Sequence, residues 1–151
     1  MVWPSDVLSV LLAVGLGAAI GLERQRSGKA AGLRTNMLIC LGAAVFTMIS
    51  KQMAEPNGSV TRIAAQIVTG VGFLGAGAII QDRGGIHGLT TAATIWLVAS
   101  IGMACGAGLY RLAITSAAVA MIVLVCFGKR SKPSERNGTK HKLNSISDER
   151  D

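Results

Sequence analysis

Four short strings place charged and hydrogen-bonding side chains against otherwise apolar sequence: Gly21-Leu22-Glu23-Arg24-Gln25, Gly32-Leu33-Arg34-Thr35-Asn36, Gln81-Asp82-Arg83 and Gly88-Leu89-Thr90-Thr91. Glu23 and Asp82 are carboxylates that can pair with Arg24, Arg34 or Arg83. Thr90 and Thr91 can cap a helix or bond its backbone. Arg34-Thr35-Asn36 sets three polar residues in a row at a helix start, where an inward-facing Arg needs a partner. Glu23 and Arg34 flank the same short loop, so a charge pair between them is expected. Arg24, Arg26 and Lys29 read as side chains that snorkel to the membrane surface. Gln66 lies one turn beyond Arg62, and a buried Gln has four hydrogen-bonding sites to fill, so an interhelical bond is expected. Trp96 sits in the middle of an apolar stretch and reads as a packing residue before a lining one.

No nucleophile, metal or cofactor motif survives inspection. Gly70-Val71-Gly72-Phe73-Leu74-Gly75 matches a dinucleotide fingerprint by letters alone. It lies inside an apolar span, and no acidic residue follows about 20 positions later to hold a ribose. Ser27-Gly28-Lys29 lacks the first Gly and the final Ser or Thr of a phosphate loop. His87 and His141 are isolated, and no Ser-His-Asp or Cys-His set exists. Cys40, Cys105 and Cys126 all fall in apolar segments and read as packing residues. No catalytic residue, cofactor or metal site is therefore expected, and an enzyme is not the expected class.

Five apolar stretches must position the polar strings: residues 7–22, 33–50, 63–80, 89–104 and 111–127. The chain has 151 residues, 50% of them hydrophobic and only 15% charged, against roughly 25% charged in soluble domains. A bilayer-spanning helix needs roughly 20 apolar residues, with a lower bound of about 17. The expected fold is therefore all-α: a polytopic membrane bundle of about five transmembrane helices over residues 1–127. Two of the five, the first and the fourth, look short. Residues 128–151 switch to Lys, Ser, Glu, Asn and Asp and are expected to form a disordered tail, having little to bury. The glycines of the third span suggest close helix packing, or else local unwinding around a cavity. Gly17-x-x-x-Gly21 and Gly102-x-x-x-Gly106 carry the same packing logic, with a weak signal in so Gly-rich a chain.

The net charge is +7, and its distribution sets the expected orientation. With the N-terminus outside and five crossings, Arg24, Arg26, Lys29, Arg34, Arg83 and the basic tail fall on the cytoplasmic side. Only Lys51, Arg62 and Arg111 fall outside, as a positive-inside bias requires. Trp3 and Tyr110 then sit at the outer interface. The basic charge reads as loop retention and attraction to the lipid bilayer, not as a nucleic-acid surface.

The same strings, with Arg62-Ile63-Ala64-Ala65-Gln66-Ile67-Val68, Gly72-Phe73-Leu74-Gly75-Ala76-Gly77, Trp96 and the run from Gly106 to Tyr110, resemble the MgtC/SapB family of bacterial inner-membrane proteins. The resemblance covers most of residues 7–127. It implies a multi-pass inner-membrane protein linked to growth in low magnesium and, in pathogens, to virulence inside macrophages. It also implies a modulator of other membrane proteins, the ATP synthase among them, and allows a homo-oligomer. Longer members carry a soluble C-terminal domain, so this chain resembles the short, SapB-like branch.

Two function classes remain at this level. One is a regulator that binds other membrane proteins through its helices. The other is a transporter or channel subunit for magnesium or another ion. Magnesium prefers oxygen ligands and keeps its waters, so a path for it should offer several carboxylates. Glu23 and Asp82 stand among at least four positive charges, which disfavours a divalent cation path and favours the regulator or an anionic ligand.

Overall fold

Small residues on three helices let the chain build a tight centre. The computed structural model describes residues 4–53, 61–82 and 85–128, with side chains for all of these except 61–64 and 80–82. The helices are α1 (Pro4–Arg26), α2 (Leu33–Gln52), α3 (Thr61–Gly77), α4 (Leu89–Ala107) and α5 (Tyr110–Cys126). Two short strands, β1 (Ile80–Asp82) and β2 (Gly85–His87), join α3 to α4. The expected tail 129–151, Trp3 and Arg83 lie outside the described residues.

The lengths reverse one expectation. α1 and α4, which looked short, have 23 and 19 residues, while α3 and α5 have 17 each. α1, α2 and α4 are long and apolar enough to cross a membrane; α3 and α5 are apolar but shorter. α1 gains length because Glu23, Arg24 and Arg26 stay helical instead of ending the span. The 23 residues of α1 reach about 34 Å at 1.5 Å per residue. α4 runs through Gly106 and stops at Gly108, whose φ of 82° ends it in a left-handed turn.

α2 lies at the centre, flanked by α1 and α4, with α3 and α5 outside them. Its inward residues Asn36, Cys40, Ala43, Ala44 and Thr47 repeat at helical spacing. α1 meets them with Gly17 and Gly21, and its other buried residues include Ala13 and Arg24. A Cβ on Gly17 would stand 2.9 Å from both the Asn36 carbonyl and the Cys40 Cβ. On the other side, a Cβ on Gly102 or Gly106 would strike the carbonyl oxygens of Cys40 and Ala44. These contacts run α1 antiparallel and α4 parallel to α2. The expected small-residue packing is therefore real at both motifs.

The outside is apolar. Leu11, Leu38, Val119, Ile122 and Val125 are all more than half exposed, while Asn36 is fully buried and Arg24 is 2% exposed. That inversion of the soluble pattern fits a lipid surround. Between lipid-facing helices no hydrophobic force remains, so close packing and hydrogen bonds must hold the bundle.

The connection from α3 to α4 carries a strand pair. β1 and β2 pair antiparallel with Ile80 opposite His87 and Asp82 opposite Gly85. Pairing satisfies backbone groups that lipid cannot. Gly88, at φ 89°, lies against the Ala78 carbonyl where no side chain fits, bringing the end of α3 to the start of α4.

Candidate functional site

The site is a layer of polar side chains at the bundle end that carries the α1 C-terminus. Arg24 continues the Gly17–Gly21 face of α1 and is its largest buried side chain. It is buried rather than snorkelling, because the two glycines draw that face against α2. Its Nε donates to the Glu23 carboxylate as an ion pair. Ser27 Oγ donates to the other Glu23 oxygen at 2.8 Å. Glu23 thus spends its charge within its own helix end.

Arg34 is exposed, and Glu23 pairs with Arg24 instead, so the Glu23–Arg34 pair does not form. The reason is phase. α2 presents Asn36 to α1, which turns Arg34 and Thr35 outward. Asn36 is the inward polar group of that triplet. Its Nδ2 donates to the carbonyls of Ala31 and Gly32, each at 2.8 Å, which closes the turn into α2. Its Oδ1 is buried without a hydrogen-bond partner. Gln25 completes the turn: its Oε1 accepts the Leu33 N–H at 3.2 Å.

α4 contributes Thr91 and Thr94, both buried. Thr94 Oγ1 donates to the Thr90 carbonyl at 2.7 Å. Gly88 is the N-cap and makes no side-chain cap, so neither Thr90 nor Thr91 stands at the N-cap position, the first of the two roles open to them. Thr90 points outward. The helix register sets Arg24, Asn36, Thr91 and Thr94 at the same end. Asp82 joins β1 near that end, but its side chain and Arg83 lie outside the described residues.

Two site candidates stand elsewhere. Gln66 is exposed on α3, not buried, because α3 packs loosely against α2. It lines a groove of ≈ 330 Å³ with Gly42, Phe46, Gly70 and Leu74. Trp96 is half exposed and lines a separate groove of ≈ 550 Å³, so it is a lining residue. Cys40 and Cys105 are buried, as expected of packing residues, whereas Cys126 is exposed. Among the described residues, no three His, Cys, Asp or Glu side chains gather to hold a metal.

Sequence reasoning missed Gln25 as a cap and the tie between α1 and α5. Ser9 Oγ and Tyr110 Oη lie 3.0 Å apart, and Tyr110 Oη donates to the Ser5 carbonyl at 3.2 Å. The burial of Arg24 was findable, since it stands on the face marked by Gly17 and Gly21.

The architecture and its buried polar end define a polytopic membrane helical bundle. Residues 10–132 match the MgtC family, and the chain belongs to it. It is 48% identical over 120 residues to "Protein MgtC" of Salmonella typhimurium (strain LT2), covering 80% of this chain and 49% of that protein. It is 47% identical over 118 residues to "Protein MgtC" of Brucella abortus (strain 2308), covering 78% and 48%. It is 45% identical over 128 residues to the "Putative magnesium transporter YhiD" of Escherichia coli (strain K12), covering 80% and 60%. The matched stretch spans about half to three-fifths of these relatives' length. No solved structure matches.

Proposed function

We propose that this chain is a regulatory protein of the bacterial inner membrane that acts by binding other membrane proteins during adaptation to low magnesium. One observation carries the reading: the buried polar layer is built on a cation. Arg24 is 2% exposed and takes its charge partner from the adjacent Glu23. Asn36 and two threonines complete the layer, and none of them adds negative charge. A divalent cation crossing there would meet a paired carboxylate and a buried guanidinium, which disfavours passage. The N-terminus lies outside and the C-terminal segment is cytoplasmic in this reading, on the Lys and Arg asymmetry.

Affinity purification of the tagged chain from native membranes, grown in low and high magnesium, tests it. The reading expects a particular integral membrane protein to be recovered in stoichiometric amount, with its own activity changed when the purified chain is added back. Recovery of the chain alone, with no effect on any co-reconstituted partner, contradicts it.

A further inference from the structure

We propose that the groove between α2, α3 and α4 binds one anionic phospholipid, with an acyl chain along Trp96 and the phosphate held by Lys51 and Arg111. The inference is independent of the regulator reading. The groove encloses ≈ 550 Å³, within the range of about 300–1,000 Å³ typical of small-ligand sites. Val71, Trp96, Met103 and Leu112 supply apolar walls, and Thr47, Ser100 and Lys51 are its polar lining.

Charge collects at one end of this slot. Lys51 Nζ donates to the Ala107 carbonyl at 3.1 Å. An ammonium has three donors, so two remain for a ligand. Arg111 is exposed on the first turn of α5, between Leu109 and Leu112, both of which line the groove. Asp6 is the acidic side chain at this bundle end among the described residues. Lys51 in the lining of an apolar slot, with the exposed Arg111 next in sequence to the lining Leu112, complements a phosphodiester joined to an acyl chain.

Trp96 reports on the site. The sequence has two Trp, so the full chain carrying Trp3→Phe leaves Trp96 as the sole tryptophan, excited selectively over Tyr110. Reconstitution in phosphatidylcholine vesicles with brominated phosphatidylglycerol, or with brominated phosphatidylcholine, measures which lipid touches it. The proposal expects phosphatidylglycerol to quench with an apparent association constant about fivefold higher for each cation in contact. Lys51→Gln and Arg111→Gln should each remove about fivefold. Arg26→Gln, at the opposite end, should leave the preference unchanged. Equal quenching by the two lipids would overturn the proposal, as would a preference that persists in the Lys51→Gln, Arg111→Gln double variant. Absence of quenching by either lipid would also overturn it, by showing that a protein segment covers Trp96.

Discussion

Glycine means opposite things in the two halves of this bundle. On α1 and α4, Gly17, Gly21, Gly102 and Gly106 press their backbones onto α2, and no Cβ fits there. On α3, a Cβ added to Gly70, Gly72 or Gly77 would meet nothing within 4 Å. The first set builds the structure. The second weakens its own helix and leaves a face that nothing else in the described chain covers. A glycine-rich span is therefore not by itself a packing signal; the partner surface decides. Around α2 the partner is the small, polar face of Asn36, Cys40, Ala44 and Thr47. Around α3 it is a groove.

This contrast can be broken by substitution, most strongly at the clamp. Gly102→Leu forces a branched side chain onto the Cys40 carbonyl. Overpacking typically costs about 1–3 kcal/mol, and here the obstacle is backbone. Loss of monodisperse protein in size-exclusion chromatography is expected. An unchanged elution profile would mean that α4 does not approach α2 so closely.

Arg24→Ala comes next. Removing one partner of a buried pair costs about 3–5 kcal/mol, so a clear fall in the detergent melting temperature is expected. Arg34→Ala, at an exposed position, should stay within about 0.5 kcal/mol. In double-substitution cycles Glu23 should couple with Arg24 by about 0.5–3 kcal/mol and be additive with Arg34. Coupling between Glu23 and Arg34 would restore the pairing that the loop suggested.

Asn36→Ala should have a middling effect. It strips a donor from the buried Ala31 carbonyl and one of two donors from the Gly32 carbonyl, at a cost of about 1–3 kcal/mol. A melting temperature equal to the parent's would show that the turn into α2 does not depend on this amide.

Gly70→Ala and Gly77→Ala sharpen the contrast from the other side. Space is open and helix propensity improves by up to about 1 kcal/mol. Unchanged or slightly higher melting temperatures are expected. A large loss would reveal that the α3 face is packed after all.

The membrane fold was legible because apolar stretches long enough to cross a bilayer leave few alternatives. The helix ends were less so: Glu23 and Arg24 neutralise each other, which lets α1 run past the boundary that their charges suggested. Three of the four strings, those at Glu23, Asn36 and Thr91, lie at one end of the bundle. Which residue in each string turns inward was hidden, because it depends on helix phase. Asn36 faces α1 only because Gly17 and Gly21 leave room for it, and Arg34 turns outward for the same reason. Gln66 and Trp96 looked like interior residues since their neighbours are apolar. Yet in a bundle bathed by lipid, an apolar neighbourhood does not mean burial.

The central claim, that the polar layer holds the bundle together and conducts no ion, is tested most directly in liposomes. Purified chain is reconstituted around an entrapped magnesium-sensitive dye, and a magnesium gradient is applied. The account predicts dye signals equal to those of protein-free vesicles, for the parent and for a Glu23→Gln variant alike. Saturable magnesium entry in the parent, abolished by Glu23→Gln, would contradict it.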